Sequence, residues 1–474
     1  MILTIDLGTT TTKAGLWAED GLVAMGRVRV PTAFPAMDRA EQDPNSWWPS
    51  VVAACGEARA AAADRFGDVV AVGFSTARQT IVPVTAAGEA LGPALLWSDR
   101  RASLDAASLA ASCGGASAVK DLTGVVLDGG AVAAKAAWLR THASERLASC
   151  RWLLGPRELV LWHMSGEVAT DTTVASASGL YGRDGALIAG LAGPVAELLP
   201  EPVAPTTVVG RLLPGPAEEL GLPARLPVVV GAGDRPCEVL GAGASPSRAM
   251  VSWGTTANVS VPVPAWPDPI PAAAVVTRAA GEGWLIDCGV SAAGSLLTWL
   301  GTITGLPPPE LVRRAAESPP GARGVVALPW LGGARAPWWR DASAAFVGLS
   351  AVHDPGDLAR AAMESVAWDV ARCLASLASR PTSLCLAGGG SDLSLWQGII
   401  TAVTTLTGGL RRSAEAASAG AAVLAGRGAG FPVDIDLINP EVAEVRPDPA
   451  AAECYRRLGP VVDRVAEAVI GLGR

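Results

Sequence analysis

The chain has 474 residues, too many for one ordinary hydrophobic core, so two domains are expected. Half of the residues are hydrophobic and 17% are charged, which excludes a disordered chain. The formal charge of −8 comes without a basic block, which argues against a nucleic-acid surface.

The chain opens on "MILTID", with no basic leader and no long apolar run, so no signal peptide is expected. This run reads as a strand, followed by "TKAGLWAEDGLVAMGRVRV", whose acidic-Gly turn joins two further strand-like runs. From Asp43-Pro44 the segment "DPNSWWPSVVAACGEARAAAADRFG" reads as a helix started by its capping Asp-Pro. "DVVAVGFST" is a buried strand, and "TIVPVTAAGEALGPALLWSDRR" a second hairpin-like unit. Helices are expected near 102–112, 133–147 and 154–164, and "LPVVVGAGD" at 226–234 is a buried strand ending in a Gly-rich turn.

From about residue 246 the pattern restarts. "AMVSWGTTANVSV" gives strand, turn, strand, and its "SWGTT" echoes "DLGTT" at residues 6–10. A short turn of this kind can also recur by chance. Helices follow at 291–303, 308–317 and 354–379. The uncharged stretch 288–309 reads as a buried helix, being too short in strongly apolar residues for a membrane span. "SLCLAGGGSDLSLWQGIITAVT" is strand, Gly turn, helix, and helices at 414–427 and 449–470 close the chain. The class is α/β in both halves.

A turn of small residues between strands exposes backbone N–H groups that can hold an anion, above all a phosphate. Taken alone, either G-T-T reads as a plain hairpin turn. In the first, Gly8, Thr9 and Thr10 form the turn, Lys13 lies near, and Asp6 is useful beside phosphates only if it holds Mg²⁺. No G-x-x-x-x-G-K-[ST] occurs, so a P-loop is excluded. Asp234 follows a strand and two glycines and precedes a helix, a place suited equally to a catalytic carboxylate or a helix cap. Arg78 and Gln79 follow another strand. The eight cysteines show no C-x-x-C pair and no clustering with the three histidines, so zinc is not expected and a reduced cytosolic setting is.

Taken in order, "DLGTTTTK", "EQDPNSWW", "LWSDRR", "VVVGAGDRPCEVLGAGA", "SWGTT", "PWLGGARAPWWRDASAAFVGLS" and "LAGGGSDLSLWQGI" resemble the FGGY carbohydrate kinases over nearly the whole chain. An earlier signature is kept in part in "VAAKAAWLRTH", where Lys135 and Trp138 fit. The resemblance implies two actin/hexokinase-like (ribonuclease H-like) domains with a cleft between them. Residues 1–245 would bind the sugar and residues 246–474 the nucleotide. It further implies Asp234 as the catalytic base, and Asp6 with Asp234 toward Mg²⁺. Gly8, Thr9, Thr10 and Lys13, and Gly254, Thr255 and Thr256, would face the phosphates of ATP. Gly388, Gly389, Gly390, Ser391 and Asp392 would border the adenosine. Arg78, Gln79, Trp97, Asp99, Asp234 and Arg235 would lie in or near the sugar pocket.

The implied activity is ATP-dependent phosphorylation of a sugar or polyol, with a ketopentose-type acceptor expected. Family members acting on xylulose carry Met-His at the place of Arg78–Gln79, and those acting on glycerol carry Arg-Glu, so the acceptor stays open. Arg235 could grip an anionic substrate or pair with Glu238. The implied protein is cytoplasmic, meets neither nucleic acid nor membrane, and is compatible with a homodimer. An ATP-binding sensor of the same superfamily is the alternative. A dinucleotide oxidoreductase is disfavoured, since no G-x-G-x-x-G follows the first strand.

Overall fold

The computed structural model describes residues 1–377 and 379–472. The last residues of the expected 354–379 helix therefore fall partly outside the described chain. By internal contacts the chain forms two compact units. Unit 1 takes Met1–Gly241, Val276–Trp284 and Glu415–Pro440; unit 2 takes Ala242–Val275, Leu285–Ala414 and Glu441–Arg474.

Unit 1 begins with the meander β1 (Ile2–Leu7), β2 (Thr11–Ala18) and β3 (Gly21–Arg29). Helix α1 (Trp47–Ala61) leads to β4 (Ala71–Thr76), followed by α2 (Val132–His142) and α3 (Pro156–Ser165). Strands β5 (Val208–Arg211) and β6 (Pro227–Gly233) then deliver the chain to α4 (Asp234–Gly241). These strands make a six-stranded sheet in the order β5-β6-β4-β1-β2-β3. Strand β1 runs antiparallel to β2 and parallel to β4, and β4 runs parallel to β6.

All six residues of β1 are buried, because both faces of the sheet are covered. Alternation decides which side each residue serves. Leu3, Ile5 and Leu7 join a core with Trp47, Val51, Ala54 and Leu161. Ile2 packs on the other side with Trp17, Ala419 and Val423, leaving Thr4 and Asp6 on that same face.

Unit 2 repeats the pattern. Its strands are β7 (Arg248–Trp253), β8 (Ala257–Val263) and β9 (Trp284–Val290). Helices α5 (Gly294–Thr304) and α6 (Pro355–Ala375) precede β10 (Ser383–Ala387), α7 (Ser394–Thr404) and β11 (Thr407–Arg411). The chain then crosses to unit 1 for α8 (Ala416–Gly428) and returns for β12 (Glu441–Val445) and α9 (Pro449–Gly471). Neighbouring strands run β9-β8-β7-β10-β11-β12, the unit 1 order over again. The senses match too: β7 is antiparallel to β8 and parallel to β10, β10 is parallel to β11, and β11 is antiparallel to β12. The two G-T-T turns therefore occupy equivalent hairpins. No helix among the described residues is long and apolar enough to cross a membrane.

By contacts, helix α8 lies with the first unit, although it falls after the expected division at 245/246. Its sequence, "AASAGAAVLAGRG", is apolar nearly all round, and ten of its residues are buried. A helix with no polar face must be covered on every side. Glycines in unit 1 make the room. A Cβ at Gly73 would lie 2.5 Å from that of Ala425, and one at Gly420 would lie 1.9 Å from the carbonyl oxygen of Cys237 in α4. Residues 415–440 thus belong with the first unit. The hairpin-like unit expected over 80–101 also shares its strands with neighbours. Isolated antiparallel bridges Ile81–Leu95 and Val84–Ala90 join its two runs, while Val82–Val84 pairs with Trp152–Leu154 and Ala94–Leu95 with Glu41–Gln42.

Candidate active site

In unit 1, sheet register lines up one row of side chains. Ser75 lies beside Asp6, Asp6 beside Lys13, and Lys13 beside Arg27. Because directly opposed residues point to the same face, four polar groups sit together near the ends of β4 and β1. Ser75 Oγ donates to Asp6 Oδ1 at 2.7 Å. Lys13 Nζ donates to Glu415 Oε2 at 2.7 Å, and Arg27 Nη2 donates to Glu415 Oε1 at 2.8 Å. Glu415 stands at the start of α8, so the crossing helix completes this cluster.

Asp6 is buried, and burial pushes its carboxyl up to about 6, against the pull of Lys13 and Ser75 and with a further push from the Asp234 charge. Burial opposes ionisation of Glu415 as well, but the Lys13 charge and the hydrogen bonds from Lys13 and Arg27 hold it below the usual range.

The Gly8–Thr10 turn is fixed through its carbonyls. Ala77 N donates to Leu7 O at 2.9 Å, Gln42 Nε2 to Thr9 O at 2.5 Å, and Val30 N to Thr10 O at 2.9 Å. Trp47 Nε1 in turn holds Gln42 Oε1 at 3.0 Å, which gives "EQDPNSWW" a structural purpose. Trp97 Nε1 donates to Thr9 Oγ1 at 2.9 Å.

Asp234 opens α4 directly after β6. A register irregularity between Val229 and Ala232 contains Gly231 at φ +71, where a Cβ would lie 1.9 Å from Phe74 O. Only glycine fits that bulge. The Asp234 side chain is 47% exposed, the condition for meeting a ligand. Its Oδ1 accepts from Arg235 N at 2.8 Å, and Arg78 Nε stands 3.3 Å away. The N-terminal turn of α4 favours negative charge here.

A buried network holds this strand end. Thr173 Oγ1 accepts from Gly233 N at 2.9 Å, and Asp171 Oδ1 accepts from Thr173 N at 2.7 Å. Arg157 donates to Val230 O at 3.0 Å and pairs with Asp171 at 2.8 Å and with Glu158. Arg157 is fully buried, and its two carboxylate partners hold its guanidinium above even its usual range although burial works the other way. Replacing Arg157 by Met is expected to destabilise the protein by about 3–5 kcal/mol, because it strands two buried carboxylates. A urea midpoint unchanged from wild type would contradict this.

The structure distributes the remaining sequence candidates as follows. Gln79, at φ +58, points its amide nitrogen at Ala177 O, 3.0 Å away, and Trp97 is partly exposed. Asp99, expected in or near the sugar pocket, is fully buried, with Oδ2 accepting from Ala40 N at 2.8 Å and both oxygens holding Arg101. Arg235 pairs with Glu238, the structural alternative of its two readings.

In unit 2, the Gly254–Thr256 turn has its carbonyls held by the start of α5, with Gly294 N donating to Gly254 O at 2.7 Å and Ala293 N to Thr255 O at 3.0 Å. The Gly388–Asp392 turn ends the parallel neighbour β10 and lies against it. Gly388 has φ +81, and a Cβ at Gly390 would lie 2.2 Å from Trp253 Cδ1. Ser391 donates from its backbone and its hydroxyl to Gly388 O, at 3.0 and 2.7 Å. The two Gly turns are thus one packed feature at the ends of β7 and β10. Asp6 and Asp234 are near enough for the Asp234 charge to act on the Asp6 carboxyl. No group of three or more His, Cys, Asp or Glu side chains suited to a metal occurs among the described residues.

Sequence reasoning missed Ser75, Glu415, Arg157, Asp171 and Thr173. Each acts through a partner distant in the chain.

The model of the FGGY family of carbohydrate kinases, N-terminal domain, matches residues 1–241, and its C-terminal counterpart matches residues 249–429. The chain is 29% identical over 418 residues to a xylulose kinase of Escherichia coli strain K12, covering 85% of each protein. It is 31% identical over 415 residues to a glycerol kinase of Methylibium petroleiphilum, covering 83% of this chain and 81% of that one. A gluconokinase of Bacillus subtilis is 24% identical over 489 residues, covering 97% and 94%. Among solved structures, a xylulose kinase from Rhodospirillum rubrum aligns with a TM-score of 0.89 at 26% identity, covering 99% of both chains.

Proposed function

Since the chain belongs to the FGGY family of carbohydrate kinases, we propose that Asp234 is the base of its reaction, the ATP-dependent phosphorylation of a sugar or polyol. The carboxylate takes the proton of an acceptor hydroxyl as that oxygen bonds to the γ-phosphorus; the bond from phosphorus to the β,γ-bridging oxygen breaks, and ADP leaves. The supporting observation is the placement of Asp234. It is a half-exposed carboxylate at the end of a buried strand, fixed by a glycine bulge and a buried hydrogen-bond network, with Arg78 beside it.

Arg78, Gln79 and Trp97 border the acceptor in this reading. Arg78 lies over Gly233, where a Cβ would come within 2.6 Å of its side chain, so the glycine lets the guanidinium approach the base. The turns Gly8–Thr10 and Gly254–Thr256 are assigned to phosphate: the carbonyls of Thr9, Thr10, Gly254 and Thr255 are taken up, Gly254 N donates to Thr256 O, and an anion would meet the N–H groups left over. Lys13 shares its charge between Glu415 and that anion. The Gly388–Asp392 turn is assigned to the adenosine. Asp6 and Asp234 would hold Mg²⁺, which leaves most of its positions to water and phosphate and supplies neutralising charge when bound.

A ketopentose is the acceptor we propose first, with glycerol and gluconate as the rivals that the relatives suggest. The test is ADP release from ATP and Mg²⁺ with D-xylulose, glycerol or D-gluconate in turn. Stimulation by D-xylulose above the acceptor-free rate supports the reading, and stimulation by another compound reassigns the acceptor. Failure of every sugar, polyol and aldonate would leave an ATP-binding sensor as the better account.

A further inference from the structure

The sequence contains only the lysines Lys13, Lys120 and Lys135, and one of them is fully buried. Lys135 lies in α2, in the signature "VAAKAAWLRTH", flanked by alanines that let the first turn approach its neighbours closely. Its Nζ donates to Gln79 O at 2.7 Å and to Leu96 O at 2.5 Å. These carbonyls belong to two separate loops. One carries Arg78 and Gln79, and the other leads into Trp97. We propose that Lys135 is a positioning residue that ties the two acceptor-side loops together; this rests on the kinase reading above.

Three observations support a designed grip over incidental packing. Gln79 holds a left-handed φ of +58, a conformation that persists in a side-chain-bearing residue only where surroundings enforce it. Lys135 supplies one restraint through the carbonyl, and Ala177 O supplies another through the side-chain amide. One turn further along the same helix face, Trp138 lies under the Arg101 guanidinium, 5.1 Å from its ring centre. Arg101 in turn holds Asp99 and Glu41, at 2.8 and 2.5 Å. A single helix face therefore reaches the Gln79 loop, the Leu96–Trp97 loop and the Asp99 turn.

Among the charges facing Lys135, Asp99 and Asp128 favour its ammonium form and Arg100 and Arg101 oppose it. Burial is the larger influence, and it draws the ammonium down to about 7. Either protonation state retains hydrogens for both carbonyls.

The test compares Lys135→Met with Lys135→Arg. Met keeps the length but leaves two buried carbonyls without a donor. Amide hydrogen exchange of residues 77–81 and 95–101, measured without nucleotide or acceptor, is expected to accelerate by about tenfold or more in Lys135→Met and to recover in Lys135→Arg. Exchange elsewhere in unit 1 stays close to wild type. In turnover with whichever of D-xylulose, glycerol or D-gluconate is phosphorylated, the acceptor KM is expected to rise by about tenfold while the ATP KM changes less than about twofold. Wild-type protection of both loops in Lys135→Met overturns the proposal, as does a matched rise in both KM values. Should Lys135→Met not fold, Lys135→Gln, shorter but still a donor, is expected to give the same loop-confined acceleration at smaller size. If no acceptor is phosphorylated, the kinase reading fails on its own, and the exchange result still decides whether Lys135 ties the loops.

Discussion

Replacing Asp234 by alanine is expected to lower acceptor-dependent ADP formation by about 10²- to 10⁴-fold, the span that a positioned general base contributes. ATP affinity should stay within about threefold. The reason is geometric. Asp234 is the half-exposed carboxylate beside Arg78, and nothing in its environment buries it against an internal charge as Asp99 is buried against Arg101. Its fold-level duties are few, because the strand end is held by the backbone contacts of Gly233 and Val230 and not by the Asp234 side chain. The loss should therefore come without a matching loss of stability. Asp234→Asn, which keeps the shape and the acceptor oxygen, should be nearly as inactive. Near-normal turnover in either variant would remove Asp234 from the role of base.

The second large effect is expected at Asp6. Asp6→Asn should reduce Mg²⁺-dependent turnover by on the order of 10²-fold or more, the scale set by removing one charge-organising group from a phosphoryl-transfer site. Stability should move the other way. Burial raises the Asp6 carboxyl from 3.8 to about 6. The folded protein then binds more protons than the unfolded chain between those values, so stability falls as pH rises through that window. At neutral pH, without metal, the ionised group costs on the order of 3 kcal/mol. Asparagine removes that charge, so Asp6→Asn is expected to melt no lower than wild type in chelator. The equivalent position in the second turn is Ser252, whose parallel neighbour is Ala387 where Asp6 has Ser75. Ser252→Ala should change turnover by less than about threefold. Equal losses at the two positions would contradict the asymmetry.

Much of this site could be read directly from the sequence. The two G-T-T turns, the strand into Asp234 and the Gly-rich turn at 388–390 are local features, written in consecutive residues. The near copy "DLGTT" and "SWGTT" left a chance recurrence open, and the repeated strand order around both hairpins gives the likeness a structural basis. What could not be read depends on contacts across long separations. Glu415 meets Lys13 and Arg27 only because α8 crosses back to unit 1. That crossing leaves no local trace, since an Ala- and Gly-rich helix has no polar face to say which core it serves. The burial of Asp99 could not be read from its neighbours alone, since its Oδ2 also accepts from Ala40 N, far back in the chain. "WSDRR" places a carboxylate after a strand-like run, yet its partner is Arg101 two residues on, and the pair turns inward. The Arg157–Asp171–Thr173 network and the Lys135 grip join residues far apart in the chain, so their roles appear only once the loops are folded.

The central claim is that this chain transfers a phosphoryl group to an acceptor hydroxyl with Asp234 as base. Phosphorus-31 NMR of a reaction with ATP, Mg²⁺ and the acceptor that stimulates ADP release tests it most directly. The account predicts ADP and a new phosphomonoester resonance in equal amounts with wild type, and neither with Asp234→Ala. ADP with inorganic phosphate and no phosphomonoester, or a phosphomonoester formed at the wild-type rate by Asp234→Ala, would contradict it.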